Sequence, residues 1–203
     1  MFDVKNLPAT DGGSLHGMDF TGRIFFDFDN FDVWRIYSTL LKASQRGVGV
    51  NVTWEEFLVD EIDPTARLSP KNRVLAACAA VRAAHPESHQ RFVQALLTMI
   101  YQERDDPRKD TTLAVAARVA GIDSDEVVKR AVDPGLRLLI ESSEAARRLG
   151  VVDVPTVVRN GPALYIKTTG AINYGNAVTH LDLIDRMLRD DGVWEMKKPP
   201  MGA

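Results

Sequence analysis

Cysteine is nearly absent from this chain of 203 residues; the only one is Cys78. A single thiol excludes an intrachain disulfide, a Cys-x-x-Cys redox couple and a cysteine-rich zinc site. Long apolar runs are missing too. None approaches the roughly 20 residues that a membrane-spanning helix needs. Neither charge sign dominates: 25 Lys and Arg face 28 Asp and Glu, a net charge of −3. That balance gives no reason to expect nucleic acid as a partner. The first twenty residues hold Asp3, Asp11 and Asp19 and no continuous apolar stretch, which predicts no secretory signal and a cytoplasmic protein. There is no Walker A loop, no G-x-G-x-x-G and no G-x-S-x-G.

What is present describes an ordinary folded protein. With 45% hydrophobic and 26% charged residues, disorder and collagen-like structure are excluded. The length suits one domain, or one domain with a large insertion. A chain of this size buries about 70% of its unfolded surface, enough for a substantial core.

Residues 1–21 are polar and read as an N-terminal extension. Ile24-Phe25-Phe26-Asp27-Phe28 is a short bulky run, which predicts a buried strand. Val33, Tyr37, Leu40, Leu41 and Ser44 follow at helical spacing, and Gly47 marks the stop. Val48, Val50, Val52 and Trp54 then alternate with smaller or polar residues, a second strand. Such a β-α-β crossover places its two strands parallel in one sheet.

From Ser69 to Leu149 the pattern is helical throughout. Ser69-Pro70 and Asp133-Pro134 each read as an N-cap followed by proline at the first helical position. Asp123 with Glu126 reads as a capping box, with Ile122 as its staple. Phe92, Val93, Leu96, Leu97, Ile100 and Tyr101 form one wide apolar face. Cys78 falls with Val74, Leu75 and Val81 and reads as a core residue. His85 and His89 share a helix face, but no third ligand accompanies them, so they read as a solvated helix start rather than a zinc site.

The period then changes. Two apolar runs, 155–159 and 162–166, flank Asn160-Gly161, a pair suited to the positive φ angles of a two-residue hairpin. Ala177, Leu181, Ile184 and Leu188 form a last helix, and Val193-Trp194-Glu195-Met196-Lys197 an edge strand or tail. The order is β-α-β, a helical block, β-β, then α. That is the plan of an α/β thioredoxin-like fold with a large all-helical insertion.

Three segments carry a family likeness. They are Phe26-Asp27-Phe28-Asp29-Asn30-Phe31-Asp32-Val33-Trp34, then Gly150-Val151-Val152-Asp153-Val154-Pro155-Thr156 with its hairpin, and finally Trp194-Glu195-Met196-Lys197-Lys198. On these residues the chain resembles DsbA-like thioredoxin-fold proteins. More narrowly, it resembles their cytoplasmic branch of actinobacterial mycothiol-dependent oxidoreductases and 2-hydroxychromene-2-carboxylate isomerases. The resemblance implies a thioredoxin-like domain at 22–64 and 149–199 and a helical insertion domain at 65–148.

The chain departs from that family where the redox members carry Cys-Pro-x-Cys. Here the four residues are Asn30-Phe31-Asp32-Val33. Disulfide exchange needs a thiolate attacking sulfur, and neither amide, carboxylate nor alkyl groups replace it. Dithiol oxidoreductase activity is therefore excluded. What the resemblance still implies is a cleft. A cis peptide before Pro155 would present the Val154 backbone to the tip of the first helix. Its N–H and C=O would pair with a peptide or a thiol tripeptide as an added strand.

In that reading Asn30 orients a thiol, as a serine does in the isomerase branch, and Asp32 accepts a proton. Phe31, Val33, Trp34, Val154, Pro155 and Thr156 form the binding surface. Mycothiol or glutathione would supply the sulfur, with no metal. The partners are then a small thiol or a peptide, with no nucleic acid and no membrane, and nothing opposes a homo-oligomer. Two plainer readings stay open: Asn30 or Asp32 caps a helix, and Pro155 merely begins a strand. A non-catalytic peptide- or protein-binding module is the alternative function. A third is a haloacid-dehalogenase-like phosphatase using Asp27 and Asp29 with Mg²⁺. A catalyst needs a deep pocket between the insertion and the cleft; a binding module needs only an open groove or an apolar patch.

Overall fold

The computed structural model describes residues 19–60, 70–107, 109–131, 133–161, 163–167 and 174–190. The predicted Ser69 cap, Pro162, most of the 1–21 extension and the Val193–Lys198 segment lie outside these residues. Strand β1, Asp19–Phe26, begins five residues earlier and ends two earlier than its apolar run suggests. Phe20 is the reason for the early start: it is fully buried and extends the core-facing row. Helix α1 is Phe31–Ser44 and strand β2 is Gly49–Glu56. The helical block comprises α2 (Pro70–Ala84), α3 (Pro86–Tyr101), α4 (Asp110–Ala120), α5 (Ser124–Arg130) and α6 (Asp133–Arg148). Strands β3 (Thr156–Val158) and β4 (Ala163–Tyr165) and helix α7 (Ala177–Arg189) complete the order.

The four strands form one sheet in the order β2-β1-β3-β4. β1 and β2 are parallel over their whole length, from Asp19 opposite Gly49 to Phe26 opposite Glu56. β3 runs antiparallel to β1, and β4 antiparallel to β3. Asn160 and Gly161 take φ angles of 51° and 116° in the link, the left-handed backbone their sequence predicts. This mixed sheet is the thioredoxin-like plan. It is not the parallel doubly wound sheet of a haloacid-dehalogenase-like phosphatase, so that reading of Asp27 and Asp29 is dropped.

Helix α2 is the centre of the helical block. From Val74 to Val81 every residue is buried, Cys78 among them, so the helix has no solvent face over two turns. Its alanines let α6 come close. A Cβ at Gly135 would lie 2.3 Å from the Ala76 carbonyl oxygen, so only glycine fits this crossing.

A buried polar seam joins sheet to block. Glu56, at the end of β2, has no exposed surface. Arg82 Nε on α2 donates to its Oε2 (3.0 Å), and His89 Nε2 on α3 lies 2.6 Å from its Oε1. This corrects the reading of His89 as part of a solvated helix start: the ring is buried, and Glu56 reaches it from the sheet. Next along, Leu58 N–H donates to Ser143 Oγ on α6 (3.0 Å), and Arg147 donates to the Leu58 carbonyl (2.8 Å). Burial opposes ionisation of Glu56, but His89 and Arg82 outweigh it and hold its carboxyl below the usual value.

Candidate functional site

The site is built where β1 hands over to α1. The turn is shaped by Asp27, whose Oδ1 accepts from the backbone N–H of Asp29 (3.1 Å) and of Asn30 (2.9 Å). Asn30 is the N-cap, its side-chain oxygen accepting from Asp32 N–H at 2.9 Å. Tyr101 on α3 fastens the same turn from the other side. Its hydroxyl lies 2.9 Å from the Phe28 carbonyl and 3.2 Å from the Asn30 carbonyl, shared between them as donor.

Opposite the cap stands the segment before β3, and the Val154–Pro155 peptide there is cis. The two segments meet directly: Asn30 Nδ2 donates to the Val154 carbonyl. The Val154 N–H donates to Asp153 Oδ1 at 2.7 Å. Both backbone groups expected to receive an added strand are therefore paired within the protein, and Val154 has no exposed surface. The sequence could not reveal this, because the amide that takes the carbonyl comes from 124 residues earlier.

The remaining predicted site residues divide in two. Val33 and Thr156 are buried, the latter with its hydroxyl donating to the Asp153 carbonyl (2.6 Å). Pro155 is buried beside them. Asp32 is 9% exposed and bonds Arg35 at 2.9 Å. Trp34 packs into an aromatic group. Half-buried, it stacks on Tyr101 with centroids 5.7 Å apart and tilts against Tyr37 at 5.4 Å. Phe31 faces solvent at 52% exposure, with the Arg35 guanidinium over its ring.

Two residues that the sequence reading left out belong to this surface. Tyr165 on β4 donates to Asp153, and Val152 is 74% exposed beside it in the chain. Register would have found Tyr165, since it pairs with Thr156 across the hairpin.

Carboxylates shape the electrostatics of the tip. Burial raises Asp27, its two backbone donors lower it in part, and Asp29 and Asp153 raise it further. Partial burial, then Asp153, Asp32 and Asp27, push the Tyr165 phenol up to about 12. Tyr101 is raised further still by burial, with Asp27 and Asp29 adding to it. A helix N-terminus carries only about half a positive charge; among the described residues Asp27, Asp29, Asp32 and Asp153 lie about it, with Asp32 paired to Arg35. A cleft of about 300 Å³ opens on the far side of the turn, between Asp27–Asp29, the residues after β2, and Asn72 and Leu75 of α2. None of the residues assigned to the thiol- or peptide-binding site lines it, whereas Asp27 and Asp29 do. Among the described residues no three His, Cys, Asp or Glu side chains gather as a metal site, and no helix is long and apolar enough to cross a membrane.

A thioredoxin-like fold carrying helices between β2 and β3, with a cis proline opposite the tip of α1, defines the class to which the solved structures answer. A 2-hydroxychromene-2-carboxylate isomerase superposes with a TM-score of 0.59 at 12% identity, covering 84% of this chain and 97% of that one. The oxidoreductase DsbA of Xylella fastidiosa gives 0.54 at 18% identity, covering 84% and 87%. A thioredoxin-like oxidoreductase of Silicibacter pomeroyi gives 0.52 at 19%, covering 82% and 86%. At these identities the likeness is one of fold. No protein-family profile and no curated protein sequence matches the chain.

Proposed function

We propose that this protein is a DsbA-family binding module that holds its ligand without disulfide exchange. The observation that carries the reading is the Asn30–Val154 hydrogen bond. It occupies the contact through which a strand-like ligand would enter, and it places an amide at the N-cap where disulfide exchange needs a thiolate. Recognition then falls to the side chains around the tip: Phe31, Val152 and Tyr165 among carboxylates. An apolar patch with a polar rim is what such a module requires.

A second reading keeps a low-molecular-weight thiol, mycothiol or glutathione, as a cofactor for a transferase or isomerase. The superposition on an isomerase favours it. It requires Asn30 to leave Val154 and turn its amide to the sulfur. Titration of ¹⁵N-labelled protein with both thiols and with short peptides separates the two. Amide shifts at 29–34 and 152–156 with peptides alone support the module. Saturable thiol binding at those residues replaces it by the second reading. No shift there with any probe overturns both.

A further inference from the structure

The Asn30 amide is engaged at both ends. Its Oδ1 accepts from the Asp32 N–H, and its Nδ2 donates to the Val154 carbonyl. Only this orientation satisfies both partners, since one offers a hydrogen and the other a lone pair. Turning the planar amide away from Val154 therefore gives up the helix cap as well. Two bonds hold the side chain where one would otherwise do. Val154 is fully buried, whereas Asn30 is only partly so. Phe31, next to Asn30, and Val152, two residues before Val154, face solvent. The amide thus stands between a backbone acceptor and water.

Among the described residues no other donor reaches that carbonyl. Without the Nδ2 group a buried acceptor is left unpaired, at a cost in free energy that lasts until a new donor arrives. Resting on the binding-module reading above, we propose that Asn30 is an autoinhibitory latch. It withholds the Val154 carbonyl from the main-chain N–H of an extended peptide, the kind of bond that gives strand-like ligands their affinity. The resting protein binds through side chains alone. A ligand that also takes the carbonyl must displace the amide, so its apparent affinity falls by the fraction of time the latch is open. Capping and latching are separable. Serine caps a helix about as well as asparagine, and glycine costs only a few tenths of a kcal/mol there. Neither carries an amide that can serve Asp32 and Val154 together.

The test uses the full chain and a fluorescently labelled, end-blocked peptide that alternates Ser and Val. Its twin is N-methylated at every residue and donates no main-chain hydrogen bond. Asn30→Ser and Asn30→Gly should each bind the parent peptide about fivefold more tightly than the natural protein, the scale of one hydrogen bond gained. The N-methylated twin should show no such gain. New amide shifts at 152–156 should accompany the tighter binding. Thermal unfolding of both variants is read alongside, so that partial unfolding is not taken for an opened site. If the folded variants bind the parent peptide no more tightly than the natural protein, or the twin gains equally, the latch is overturned; peptide binding at the tip of the natural protein then leaves the module reading standing. Failure of both peptides to bind at 29–34 and 152–156, in the natural protein and in both variants, brings down the module reading and the latch with it.

Discussion

Two carboxylates lie within one connected core and have opposite fates. Glu56, in the seam between sheet and helical block, has no solvent contact and faces two basic side chains from two helices. Asp27, at the tip, is satisfied by backbone N–H groups of its own turn; burial raises it, with a smaller part from Asp29 and Asp153. The seam matches charge with opposite charge across elements far apart in sequence. The tip sets Asp27 near the carboxylates of Asp29 and Asp153, with Asp32 held by Arg35. Charge that is matched and dry holds a structure together.

The largest effect separating the two regions should come from the seam. Glu56→Ala leaves buried His89 and half-buried Arg82 without their anion and should cost about 3–5 kcal/mol, read by chemical denaturation. A loss below about 1 kcal/mol would show that the seam is wetter than its burial indicates. Gly135→Ala comes next. It forces Cβ into the Ala76 carbonyl, where neither backbone yields easily, and should cost about 1–3 kcal/mol. Asn30→Ala removes a cap and the tie to Val154, an expected loss of about 1 kcal/mol. Asn30→Asp keeps the cap oxygen but sets a fifth carboxylate against the Val154 carbonyl. It should recover less stability than capping preference alone would give.

The smallest effect is the one that opposes the two regions most directly. Glu56 is depressed below its ordinary 4.5, so its contribution is present above that pH and is lost as pH falls through the folded-state value. Asp27 is raised above 3.8, so its contribution is fullest below that pH and declines as pH rises through the folded-state value. Stability curves for Glu56→Gln should therefore lose acid lability. Curves for Asp27→Asn should lose the opposing slope on the other side. If both variants flatten the same limb, the contrast between the regions fails.

How much of this was legible follows the range of the interactions. The β-α-β opening, the helical block and the Asn160–Gly161 hairpin rest on local period and turn chemistry, which lie in consecutive residues. Asn30 as a helix cap was legible for the same reason. The seam was not. Glu55-Glu56 at a strand end looks like surface, and Arg82 and His89 follow 26 and 33 residues later. Nor was the closure at Val154, whose backbone pairs with the side chains of Asn30 and Asp153. A sequence shows which side chains are available, but not which backbone groups they will take.

The Tyr101 hydroxyl ties the opening turn of α1 to a helix laid down some seventy residues later. The turn that opens α1 is thus jointly owned. A bare four-stranded core cut free of its helices would keep the aspartates and lose the strut that sets their spacing. Grafting the loop onto another scaffold would have to bring that phenol with it.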